Sequence, residues 1–250
     1  MIEQLKSDFN KMTENLKFSE NNIEFRKKNL INFIDKGFPN KRIEDWKFSD
    51  LNQIISSNIK NLSFYNDKTY EPKDQVSLIN KFEHNKIIFI NGVISKVDIK
   101  YEDDTKVLIN NDLDLSNNSN GINPLVSLNH ALVSAHIGII VKENYSLNKP
   151  LVLYNITTED VNSTALNLRT DITLEKNSSL KLVTIFDDQS ENNFINITQN
   201  FDIAQNAILK SYKIDHKTNS NIKGLATIKT NIELLTNEAT ASASATADYS

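Results

Sequence analysis

Apolar positions recur at three- and four-residue steps along the first stretch of the chain. Ile2, Leu5, Phe9, Met12 and Leu16 fall on one face of a helix spanning residues 2–17, as 3.6 residues per turn require. Ser19 stands where a second helix needs an N-cap, and the apolar positions of that helix are Ile23, Leu30, Ile31 and Ile34. Gly37 and Pro39 follow, as is common at a helix end. Asp50 is the expected cap of a short third helix carrying Leu51, Ile54 and Ile55. Residues 1–60 therefore read as an N-terminal helical region.

The period then shortens. Ile87-Ile88-Phe89-Ile90 predicts a strand, Asn91-Gly92 a two-residue hairpin turn, and Val93-Ile94 the start of the return strand. Residues 110–122 are polar and rich in turn formers, so 61–122 reads as a connecting segment with a β-hairpin. Residues 125–135 predict a short helix leading into the next region.

Three segments from Ile139 onward share one pattern: apolar, any, apolar, two further residues, Asn, two spacers, apolar. They are Ile139, Val141, Asn144, Leu147; then Ile172, Leu174, Asn177, Leu180; then Phe201, Ile203, Asn206, Leu209. The asparagines are 33 and 29 residues apart. A weaker copy, Ala226, Ile228, Asn231, Leu234, follows 25 residues on, and Ile195, Ile197, Asn200, Ile203 matches out of phase. Alternation points one face of each strand inward, and asparagine tolerates the left-handed backbone of a tight corner. A unit that cannot bury its inward face alone, repeated at this spacing, predicts stacked coils. The expected fold class is mainly β: a right-handed parallel β-helix over 123–238, preceded by the α-helical region. An ordinary β-sandwich is the rival. Over 239–250, Ala239, Ala241, Ala243, Ala245 and Ala247 alternate with other small residues, which bury too little area to close a β-core. The expected reading there is an atypical tail on an incomplete repeat array, left by truncation or a change of frame.

Composition narrows the function classes. The net charge is −4, which indicates no bulk attraction to nucleic acid or anionic membrane. There is no cysteine, hence no thiolate nucleophile and no disulfide. The N-terminal MIEQLKSDFNKM has acidic residues and no apolar core, unlike a secretory leader. No stretch approaches the roughly 20 apolar residues of a membrane span. A soluble cytoplasmic protein is expected.

The familiar catalytic signatures GxxxxGK, GxGxxG, GxSxG and HExxH do not occur. His130 and His136 are six apart, a spacing that suits neither a helical nor a strand metal pair. They, His84 and His216 are expected to be exposed or locally hydrogen-bonded. Neighbours such as Asp103-Asp104 and Asp187-Asp188 point to opposite faces of a strand, which makes poor acid–base partners. The stretch from Asp187 to Glu191 reads as a solvated loop. No catalytic, metal or cofactor residue is assigned, and the chain is not expected to be an enzyme. The most distinctive string is Arg42-Ile43-Glu44-Asp45-Trp46-Lys47-Phe48-Ser49-Asp50-Leu51, which holds the single tryptophan. By residue chemistry, Trp46 and Phe48 dock the helical region onto the β part, and an aromatic there also suits a partner anchor.

That string, with Arg42, Glu44, Asp45, Trp46, Lys47, Phe48 and Leu51, resembles the N-terminal signature of the SufB/SufD family, in its SufD branch. A second stretch agrees: Asn123-Pro124, Leu128-Asn129, Ala131, Gly138, and Leu147 through Pro150-Leu151. The resemblance covers about residues 40–215 and implies N-terminal helices followed by a parallel β-helix. It implies a non-catalytic scaffold in SUF-type iron–sulfur cluster assembly, paired with a SufB-like subunit and the SufC-like ATPase. The cluster would then be present only transiently, at the level of the complex. The family's C-terminal helical segment, which contacts SufC, and its His-bearing signature are not found here, so a SufC contact is not carried over. The alternatives are a structural or adhesive solenoid and a polysaccharide-acting β-helix enzyme.

Overall fold

The computed structural model describes residues 1–42, 46, 50–58, 61–65, 79–113, 123–190, 193–217, 225–234 and 240–245. The expected caps are present. Helix α1 (Ile2–Leu16) buries Leu5, Phe9 and Met12. Helix α2 (Glu20–Lys36) starts at Ser19, whose hydroxyl accepts the Asn22 N–H at 3.3 Å. It ends at Gly37, at φ 68°, whose N–H donates to the Phe33 carbonyl. Helix α3 (Leu51–Asn58) is capped by Asp50, which accepts the Gln53 N–H at 2.9 Å.

The buried stripe of α2 departs from the expected one. It consists of Asn22, Arg26, Asn29, Leu30 and Phe33, while Ile31 is 58% exposed. Helix α4 (Pro124–Leu132) accounts for Arg26, while Asn29 donates to the Phe25 carbonyl of its own helix and Asn22 to the Leu113 carbonyl. Helix C-termini leave carbonyls without intrahelical donors. The Arg26 Nη1 donates to the carbonyls of Ala131 and Val133, at 3.3 and 2.9 Å, and its Nη2 to that of Leu113. Its guanidinium lies 4.0 Å over the Phe18 ring.

The hairpin forms as expected: β1 (Asn85–Ile90) and β2 (Val93–Asp98) flank Asn91 and Gly92, both at positive φ. The remaining strands are β3 (Val107–Asn110), β4 (Ala135–Val141), β5 (Leu151–Thr157), β6 (Ala165–Leu174), β7 (Ser179–Asp188), β8 (Phe194–Ile203), β9 (Ile208–Lys217), β10 (Leu225–Leu234) and β11 (Thr240–Ala245). They make a six-stranded sheet, β11-β9-β7-β5-β1-β2, and a five-stranded sheet, β10-β8-β6-β4-β3. From β4 on, successive strands alternate between the sheets.

This arrangement overturns the expected fold class. Among the described residues the chain is mixed α/β, with two sheets of parallel and antiparallel strands, and they form no closed solenoid or right-handed β-helix. Two features set the difference. The Asn91-Gly92 turn folds β2 back antiparallel on β1, and β3 runs antiparallel to β4, so each sheet ends in a reversed strand. The helices are also part of the packed body, since α1, α2, α3 and α4 share one apolar cluster with Ala165 and Phe194 at the starts of β6 and β8. The connecting segment supplies β1 and β3 to the two sheets, and the alanine-rich tail supplies β11, parallel to β9.

The corners nevertheless lie where the pattern set them. Asn144, Asn177 and Asn206 have φ of 59°, 57° and 57°. Their amides stand in line: Asn206 Nδ2 donates to Asn177 Oδ1 at 3.1 Å, and Asn177 Nδ2 to Asn144 Oδ1 at 2.7 Å. Between them Ile139, Ile172 and Phe201 share one row and Val141, Leu174 and Ile203 another, both inside the main apolar cluster. Asn177→Val is expected to cost about 1–3 kcal/mol, because a β-branched residue is strained in the left-handed region. Asn177→Gly should cost less than half of that, and denaturant midpoints compare the two.

The weaker fourth copy is not a corner. Asn231 lies inside β10 and pairs with Asn200, just as Ile228 pairs with Ile197 and Leu234 with Ile203. It therefore aligns with the match that ran out of phase. Any strand with an asparagine on its outer row produces the same string, so the pattern alone does not separate strand from corner. Asn237, three residues past Leu234, is the sequence counterpart of the corner asparagines and lies outside the described residues. Among the described residues, no helix is long and apolar enough to cross a membrane.

Candidate functional site

The residues singled out from the sequence fall into two places. Trp46 is half-buried against the helical cluster, and Leu51, fully buried, is part of it with Leu128 and Ala131 of α4. Asn129, on the same helix, donates its amide to the main-chain carbonyls of Leu168 and Asn196, at 2.9 and 3.0 Å. It thus ties α4 to two neighbouring strands of the five-stranded sheet. Asn196 returns the contact, donating to the Leu125 carbonyl and to Asn167 Oδ1, both at 2.9 Å. Arg42 is exposed. Pro150 is elsewhere, at the start of β5, where its carbonyl accepts the Asn85 N–H at 2.9 Å. Glu44, Asp45, Lys47 and Phe48 lie outside the described residues.

A polar cluster that the sequence reading missed occupies the outer face of the five-stranded sheet. Side chains alternate along a strand, so with Leu168, Ile172, Ile197 and Phe201 in the core, Arg169, Asp171, Thr198 and Asn200 face the other way. Register puts His136, Arg169 and Thr198 in one row and Gly138, Asp171 and Asn200 in the next. Asp171 is the hub. Arg169 Nε donates to both carboxylate oxygens at 2.9 Å, and Asn200 Nδ2 to Oδ1 at 2.6 Å. His136 Nε2 lies 3.0 Å from Oδ2, with its Nδ1 2.6 Å from the Asp112 carbonyl. Gly138 carries no side chain, so β4 places nothing beside Asp171 in that row.

The charges follow from this geometry. Burial raises the Asp171 carboxyl, but the His136 hydrogen bond and the Arg169 charge outweigh it and hold the group well below the usual carboxylate range. His130, on α4, is fully buried with its ring 5.4 Å from that of Phe25. Burial, with the Arg169 and Arg26 charges behind it, pushes its imidazole down to about 3. It is therefore a neutral core histidine at physiological pH, buried rather than exposed. The acidic stretch also differs from expectation: Asp187 and Asp188 end strand β7, and Asp188 accepts from both the N–H and the hydroxyl of Ser190.

This arrangement can hold a buried charge in a fixed orientation. Among the described residues, no three His, Cys, Asp or Glu side chains are grouped to hold a metal ion. One signal for the cluster was present in the sequence. Arg169 and Asp171 put two charges two apart inside an otherwise strand-like run, and Asn200 follows Asp171 by 29 residues, the repeat interval. No family model and no curated protein matches this chain.

Proposed function

We propose that the chain is a non-catalytic scaffold subunit of a SUF-type iron–sulfur cluster assembly complex, SufD-like in kind. It works in the cytoplasm, beside a SufB-like subunit and a SufC-like ATPase, and the cluster is cargo of the complex. One observation carries the reading. Trp46, Leu51 and Asn129 come from the two separate stretches that resemble the family: Trp46 and Leu51 pack in the apolar cluster that α4 shares with the starts of β6 and β8, and Asn129 bonds α4 to those strands. A string kept for that contact has a reason to occur with the other stretch. The reading stands on those stretches, independently of a closed β-helix. The SufB-like subunit is the first partner to test.

Co-expression of this chain with the SufB and SufC proteins of its own organism tests the proposal. A complex that survives size-exclusion chromatography is expected. Trp46→Ala should weaken it through the docking of the helices. Separate elution of all three proteins, with this chain folded by circular dichroism, would count decisively against the reading.

A further inference from the structure

We infer that Arg169 and Thr198, on the outer face of the five-stranded sheet, form a binding site for a small oxyanion, a carboxylate or a phosphate. The argument begins with the hydrogen-bonding capacity of arginine. A guanidinium offers five N–H groups, and its two amino nitrogens form a fork that matches two oxygens of one anion. Arg169 bonds Asp171 through Nε alone. Its Nη1 is fully buried with no hydrogen-bond partner among the described residues, and no acceptor among them reaches Nη2. Nη2 is not sealed in as Nη1 is, so the fork runs from the interior toward the surface.

Thr198 supplies a second donor. It stands directly across from Arg169 in the ladder, and its Oγ1 is likewise buried with no partner among the described residues. A buried polar group left unpaired costs about 1–3 kcal/mol, and here two donors are left so on adjacent strands. An oxyanion accepts from both, whereas a cation or an amide N–H does not. Electrostatics agree. Asp171 is the one carboxylate bonded to Arg169 among the described residues, the Arg26 guanidinium is also buried and acts with that of Arg169 on His130, and His130 is neutral. The cluster thus keeps a positive excess that a bound anion offsets. The site is independent of the scaffold reading, since it needs no partner subunit.

Titrating the full chain with inorganic phosphate or acetate, at ionic strength held constant with chloride, tests the site. At tenfold excess over Kd the melting temperature is expected to rise by roughly 3–6 °C and to saturate. The chain has three arginines, Arg26, Arg42 and Arg169, so three Nε–Hε resonances report on them by NMR, and that of Arg169 should move with the same Kd. Thr198→Val, close in shape, should weaken binding about tenfold. Response to phosphate alone identifies a tetrahedral oxyanion, and response to acetate as well a carboxylate; either supports the site. A stationary Arg169 resonance with both anions overturns it, as does unchanged affinity in Thr198→Val. Arg169→Lys serves as a further check if it folds.

Discussion

Replacing Asn129 by leucine is expected to lower stability by about 2–4 kcal/mol. Its amide serves two main-chain carbonyls on neighbouring strands, Leu168 and Asn196, at a position with no exposure. Each buried acceptor left without its donor costs about 1–3 kcal/mol. For a domain of this size, that loss moves the melting temperature by roughly 5–12 °C, which calorimetry resolves. Asn129→Asp should be worse, since it sets carboxylate oxygens against two carbonyls in a buried site. Asn196 holds the same helix through the Leu125 carbonyl. Losses at Asn129 and Asn196 should therefore be non-additive, as for residues sharing one contact.

Acidification should destabilise the protein through His130, beginning well above the carboxylate range. The imidazole is held down to about 3 in the folded chain, from an ordinary 6.5. Above pH 6.5 both states are deprotonated there, and stability is at its full value. As the pH falls below 6.5 the unfolded chain takes a proton that the folded one refuses, so stability declines until the pH approaches the folded value. The slope is at most about 1.4 kcal/mol per pH unit, or roughly 2–3 kcal/mol lost by pH 4.5. His130→Phe, packed beside Phe25, should flatten that limb of a denaturant-midpoint series between pH 7.5 and 4.5. If the decline persists unchanged in the variant, its origin lies elsewhere. Asp171 has the same sign over a lower window. Its depressed carboxyl adds stability that is present above the ordinary 3.8 and lost as the pH falls below it.

What the chain reveals of itself differs from element to element. Ser19, Asp50, Gly37 and the Asn91-Gly92 turn act through local backbone chemistry, and each sits where local reasoning put it. The corner asparagines belong to the same class, because the left-handed backbone is a property of one residue. The buried face of α2 was hidden by its polarity. Asn22, Arg26, Asn29 and Phe33 follow helical spacing, but a hydrophobic count passes over three of them. Arg26 becomes intelligible only once the end of α4 presents its unpaired carbonyls, and Asn22 once the Leu113 carbonyl is beside it. Fold class failed for a related reason. An alternating strand pattern states which side chains share a face, and says nothing of whether a sheet closes or ends in a reversed strand. The cluster around Asp171 needed register, which joins residues 29 to 35 positions apart.

The repeat intervals of 33 and 29 residues leave the ladders undisturbed, and where the surplus goes has a practical use. Leu151 pairs with Leu182 and Thr157 with Asp188, while Ala165 pairs with Phe194 and Leu174 with Ile203. The longer interval therefore takes two extra residues between Asn144 and Leu151, and two between Thr157 and Ala165. Those bends are slack in an otherwise fixed weave. Glu159 and Asp160, exposed in the second of them, mark a seam where a fluorophore, an epitope or a crosslinker can be grafted without disturbing a single rung.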